Sequence, residues 1–203
     1  MISFQFLMTS LIVVLIPGTG VIFTVSTGLA LGRKASVYAA LGCTAGIIPH
    51  LFATIFGLAA VMHTSAMVFQ TLKYAGAVYL AYLALATWKD KSAFSLESIN
   101  KTTGGKLAAK AFFLNILNPK LTIFFLAFLP QFVDPAKGSP LSQLLLLSAV
   151  FMVMTFIVFV GYGYLAHAFR RYVIGAAGVQ RVLRLGFGAV FAGLAAKLAL
   201  SEK

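Results

Sequence analysis

Pro17-Gly18-Thr19-Gly20 interrupts an apolar run that begins at Phe4, and Asn118-Pro119-Lys120 interrupts another, 102 residues later from proline to proline. A proline inside a helix removes one backbone donor and collides with the carbonyl four residues earlier. In a bilayer the freed groups find no water, so such breaks persist only where protein or a polar cavity satisfies them. Transporters use such discontinuous helices to build solute sites near the membrane midplane. This pair of breaks is therefore the feature from which fold and function are read.

The surrounding composition fits a membrane protein. Of 203 residues, 61% are apolar and only 10% charged, against about a quarter charged in soluble domains. Six runs reach the roughly 20 residues that span a bilayer: Phe4–Leu29, Val37–Met62, Met67–Thr87, Ala111–Val133, Leu141–Ala166 and Val182–Leu200. The expected fold class is thus an all-α membrane protein with six transmembrane helices in one transporter domain, residues 1–203. The N-terminus lacks a positive n-region, so no cleaved signal is expected. The lone Cys43 allows no intramolecular disulfide, and neither a metal nor a cofactor is expected.

Sixteen Lys and Arg stand against four acids. The basic residues cluster in alternate loops: Arg33 and Lys34; Lys89, Lys91, Lys101, Lys106 and Lys110; Arg170, Arg171 and Arg181. The positive-inside rule puts these loops in the cytoplasm and both termini outside. That topogenic role explains the charge better than a nucleic-acid partner would. The Ser/Thr/Lys/Gly-rich segment 89–110 reads as a cytoplasmic link between half one (1–88) and half two (111–203). Each half has three spans and opens with the broken one. Gly76-Ala77-Val78-Tyr79 also resembles Gly188-Ala189-Val190-Phe191. Three spans is an odd number, so the second half must be inverted relative to the first, an arrangement common in secondary transporters.

At the first break, a half-helix beginning at Gly18–Gly20 presents N–H groups and a positive dipole end, which suit a carboxylate. Thr19 and Thr24 add hydroxyls; the competing reading is a plain kink. At the second break, Asn115 and Asn118 supply amides beside Pro119. Lys120 would lie roughly 13–14 Å into its span. No acid lies inside any span to pair with it. Its expected partners are backbone carbonyls at the break or a bound carboxylate, unless it snorkels to the interface. His50, beside Pro49, is the candidate proton-coupling group, because its ordinary pKa is near neutral; the competing reading is a neutral, hydrogen-bonded histidine. Gly42 and Gly46 form a G-x-x-x-G pair that predicts close helix packing, and Gly28/Gly32 reads the same way. Such glycine-lined faces also permit a homo-oligomer. The chain carries no P-loop, HExxH, Ser/His/Asp set or paired carboxylates, so an enzyme or an ATP-driven pump is not expected.

Several stretches together resemble the lysine-exporter superfamily, in its RhtB-type branch of homoserine/threonine efflux proteins. They are Ser10–Gly20, Gly42–His50, Leu72–Leu80, Asn115–Lys120, Phe128-Leu129-Pro130-Gln131-Phe132 and Gly161-Tyr162, and the resemblance covers essentially the whole chain. It implies a bacterial inner-membrane exporter of amino acids driven by the proton gradient, with Tyr162 facing the cavity. Two departures stand out. Acids that many relatives carry in spans two and five are replaced here by Ile47 and Thr155. The first argues against a lysine-type substrate and for a small neutral amino acid, threonine- or homoserine-like; the second puts a family-like proton relay in doubt. The expected partners are thus that amino acid, protons and the lipid bilayer, with the substrate ammonium on carbonyls freed at Pro17 and Pro119. A proton-independent channel or uniporter is one alternative, and a non-transporting scaffold or sensor another.

Overall fold

The computed structural model describes residues 2–62 and 103–169, with positions 74, 78, 81, 82, 85, 185, 189, 192, 193 and 196. Spans three and six, most of the 89–110 segment, the Arg170–Arg184 cluster and the paired Gly76 and Gly188 stretches lie outside the described residues, apart from those single positions. Every regular element among the described residues is helical.

Helix α1 (Phe4–Leu15) is capped by the Ser3 hydroxyl, which accepts the Phe6 N–H. It ends before Pro17, and α2 (Thr19–Leu31) restarts the run after a bend of 55°. The second broken span repeats this: α5 (Gly104–Ile116) ends before Pro119, and the chain continues as α6 (Pro119–Ile123) after a bend of 55°. Beyond α6 the helix widens to a π-turn over Phe124–Phe128, then tightens to a 3-10 turn over Leu129–Phe132. Pro130 explains the change, since it cannot donate to an i−4 carbonyl.

Between α2 and α3 (Arg33–Ala45) the chain reverses at one residue, Gly32, whose φ of +86° lies where side chains are strained. Gly32 is therefore a turn residue rather than the packing partner of Gly28. Arg33–Gly57 is one helix long and apolar enough to cross a membrane, yet span two carries a two-residue turn at Gly46-Ile47 between the end of α3 at Ala45 and α4 (Ile48–Met62). Pro49 accounts for it, because its ring would strike the Ala45 carbonyl. Helix α5 starts at Gly104, ahead of the Ala111 expected for span four, so the expected link gives way to helix at Gly104. Gly104 is needed there for contact, since a side chain would collide with the Tyr38 ring. Helix α7 (Pro140–Ala168) is long and apolar enough to cross a membrane unbroken.

Helix α3 lies along both α5 and α7, and α2 lies against α3 and α7. Gly42 meets Ala108 and Gly46 meets Phe112, so α3 and α5 run parallel with their backbones touching. Gly28 sits against the Gly163 backbone in the same manner. The stretch after the second break is fastened to α7 by Phe124 stacked on Phe151 at 4.5 Å, with Phe125 edge-on at 5.4 Å. Large apolar residues also cover the outside: Phe56, Phe113, Leu117, Val153 and Ile157 are each more than half exposed. Such a surface would aggregate in water and is ordinary against lipid tails.

Candidate functional site

Proline chemistry names the atoms at stake. Pro17 cannot donate to the Val13 carbonyl, and Pro119 cannot donate to the Asn115 carbonyl. Each orphaned oxygen receives a basic side chain from the other half of the sequence. The Lys120 ammonium donates to the Val13 oxygen at 3.0 Å and to the Ile16 oxygen at 2.7 Å. His50 Nε2 lies 3.1 Å from the Asn115 oxygen, which also accepts the Asn118 backbone N–H. Two hydroxyls complete the exchange: Tyr162 donates to the Leu15 carbonyl at 2.8 Å, and Thr19 to the Leu114 carbonyl at 3.2 Å. Carbonyls at the end of α1 are thus capped from α6 and α7, and those at the end of α5 from α2 and α4.

The breaks themselves touch. A β-carbon placed on Gly18 would stand 3.2 Å from the Asn118 amide nitrogen and 3.4 Å from Lys120 Cε. One placed on Gly20 would meet Asn115 Oδ1 at 2.7 Å and Cys43 Sγ at 3.1 Å. Thr19 and Gly20 at the start of α2 lie by Leu114 and Asn115 near the end of α5, while Phe23 one turn on lies by the earlier Lys110, so the two broken spans cross in opposite directions at their breaks.

Local chemistry holds the second break from within. The Asn118 side-chain oxygen accepts the Lys120 backbone N–H at 3.2 Å, which caps α6, and its amide donates to Asn115 Oδ1 at 3.1 Å. The Asn115 amide in turn donates to the Cys43 carbonyl. The first break has no such cap: Gly18 precedes α2 without any side-chain acceptor. The first N–H groups of α2 consequently have no partner within their helix.

Most of the sequence-predicted residues gather at this crossing: Gly18, Thr19, Gly20, Asn115, Asn118, Lys120, His50 and Tyr162. Lys120 does not snorkel; it is 5% exposed. Thr24 is one turn away, its hydroxyl on its own Gly20 carbonyl and 3.9 Å from Cys43 Sγ. Sequence reasoning missed two participants. Cys43 reaches the Gly20 carbonyl at 3.6 Å, and its place between Gly42 and Gly46 was the available signal. The Thr122 hydroxyl lies 3.3 Å from His50 Nδ1; only its nearness to Pro119 pointed to it. At the two positions where the resemblance implies acids, Ile47 is fully buried and the Thr155 hydroxyl donates to the Phe151 carbonyl.

The electrostatics follow. The C-terminal end of α1 is a partial negative charge and the N-terminal end of α2 a partial positive one. When Lys120 is protonated, its ammonium offsets the former and leaves the first break electropositive.

The family model for the LysE type translocator matches residues 11–202. The chain belongs to that family. It is similar to the homoserine/homoserine lactone efflux protein of Salmonella typhimurium strain LT2, with 32% identity over 97% of this chain and 95% of that one. An uncharacterised membrane protein of Vibrio cholerae is 31% identical over 97% and 96%. The leucine efflux protein of Salmonella choleraesuis is 27% identical over 96% and 92%. No solved structure matches this translocator. It is a membrane transporter and not an enzyme.

Proposed function

We propose that this translocator exports small neutral amino acids or close derivatives, threonine- or homoserine-like, across a bacterial inner membrane by proton antiport. One observation carries the reading: the two broken spans cross at their breaks, and the first break offers an uncapped helix N-terminus beside a buried ammonium. A substrate carboxylate would take the free N–H groups near Gly18–Gly20 and the third Lys120 N–H, two being spent on Val13 and Ile16. The carbonyls at both breaks already hold donors. A substrate ammonium would therefore share their second lone pairs.

The oppositely directed, crossing spans support two inverted three-helix halves, with alternating access from rocking of one half on the other. In this arrangement the basic loops are cytoplasmic and both termini outside. His50 is the proposed proton carrier. A carbonyl can only accept, so Nε2 carries the hydrogen toward Asn115 and Nδ1 accepts from Thr122 when the ring is neutral. A second proton would land on Nδ1 and force the Thr122 hydroxyl to turn round. Protonation would thus rewrite a contact between α4 and α6, one from each half.

The test is efflux from proteoliposomes preloaded with threonine, homoserine, leucine or lysine, with and without a pH gradient. Gradient-driven loss of one neutral amino acid is expected, and His50→Gln is expected to remove the pH dependence. A second reading, an uncoupled channel or uniporter, draws on Ile47 and Thr155, since neither can carry a proton. Equal flux without a gradient would establish it. No flux of any of the four would sink the amino-acid assignment.

A further inference from the structure

The buried Lys120 ammonium donates to two neutral backbone oxygens, Val13 at 3.0 Å and Ile16 at 2.7 Å. The four acids of the chain stand at positions 90, 97, 134 and 202, outside every span expected from the sequence. Carbonyls at the C-terminal end of a broken half-helix are also the ligands that secondary transporters present to a free coupling cation. The negative end of the α1 dipole adds to the attraction. A lysine stem reaching in from the opposite broken span therefore delivers a fixed positive charge to a place built for a mobile one.

We propose that Lys120 is the covalently attached occupant of an alkali-cation site at the end of α1. Its ammonium fills the position among the Val13 and Ile16 oxygens that Na+ or K+ would otherwise take. The first break then needs no salt cation to hold it, and removing the side chain converts the place into a site that binds one. The Tyr162 hydroxyl, already on Leu15, holds the adjoining carbonyl and keeps the end of α1 in shape when the lysine is gone. This binding does not rest on the transporter reading above, so the two can fail separately.

The test is thermal melting of the purified full chain in NaCl, KCl and choline chloride at equal ionic strength, for wild type, Lys120→Ala and Lys120→Met. Equal ionic strength holds screening constant. For Lys120→Ala, melting is expected to rise on the order of 3 °C in an alkali salt over choline. Wild type is expected to melt alike in all three salts. Lys120→Met, which refills the space without ligands, should do the same. Identical melting of Lys120→Ala in all three salts overturns the proposal, as does an equal alkali-salt rise in wild type. Should Lys120→Ala not fold, Lys120→Ser leaves similar room and carries the same expectation. Failure of both to fold in any salt also overturns it, because a vacated cation site should accept the salt ion.

Discussion

The two breaks share a proline, a bend of 55° and an orphaned carbonyl, yet they are held differently. The second has a cap of its own, since Asn118 caps α6 and bonds to Asn115 three residues back, although His50 and Thr19 from the first half still meet its Asn115 and Leu114 carbonyls. The first consists of Gly-Thr-Gly and has no cap of its own. Its Val13, Leu15 and Ile16 carbonyls depend on Lys120 and Tyr162, more than a hundred residues away. The second break thus keeps one cap within its own turn, whereas the first takes all its side-chain donors from the second half and leaves the first N–H groups of α2 without a partner in their helix.

The largest effect expected from this contrast is at Lys120. Lys120→Met strips both Lys120 hydrogen bonds from the first break, and hydrogen bonds to charged groups are worth about 1.5–3 kcal/mol. Export should fall roughly 10–100-fold, measured as efflux per inserted protein. Normal export by this variant would break the comparison outright. Next comes Gly20→Val, which forces a branched side chain against Asn115 and Cys43. Overpacking of this kind costs about 1–3 kcal/mol, read as a lower melting temperature in detergent.

Asn118→Ala sharpens the contrast. Loss of an N-cap costs about 1 kcal/mol, so stability should drop while export declines less than in Lys120→Met. A steeper export loss than Lys120→Met would mean that the second break, not the first, faces the solute. Tyr162→Phe removes one hydroxyl from Leu15, and about 0.5–1.5 kcal/mol is expected. The smallest effect is expected away from both breaks, at Asp134. Its carboxyl sits below the ordinary carboxylate range because Lys137 pairs with it and the Ala136 N–H donates to it. Any stability it adds is present above its ordinary pKa and is lost as pH falls through the lower folded one. Asp134→Asn should lower melting only slightly at neutral pH, because the pair is exposed, and should leave export unchanged.

The breaks were legible in the sequence because proline acts on its own turn. So was the need for donors at Val13 and Asn115, as a matter of counting i−4 bonds. Which donors arrive is a long-range fact, and for Lys120 the residues left two partners open, backbone carbonyls or a carboxylate. Gly46-Ile47 went unread as a turn because an apolar run continues through it, although Pro49 held the clue. Gly104-Gly105 misled in the other direction. Glycine pairs usually punctuate, but here the helix-forming Lys106-Leu107-Ala108-Ala109-Lys110 carries the helix back through them, and the small residue serves the Tyr38 contact. The Thr122 partner of His50 was hidden for a similar reason, since a threonine on an apolar helix announces nothing.

The borrowed donor also has a meaning in time. Val13 and Lys120 are 107 residues apart, and ribosomes add about 5–20 residues per second. The first span thus waits roughly 5–20 s after its own synthesis before its proline-orphaned carbonyl can be met. During nascent-chain insertion that oxygen must lean on water, the translocon or a neighbouring span. Chains arrested just before residue 120 should therefore be degraded faster in a pulse-chase than chains arrested just after α6.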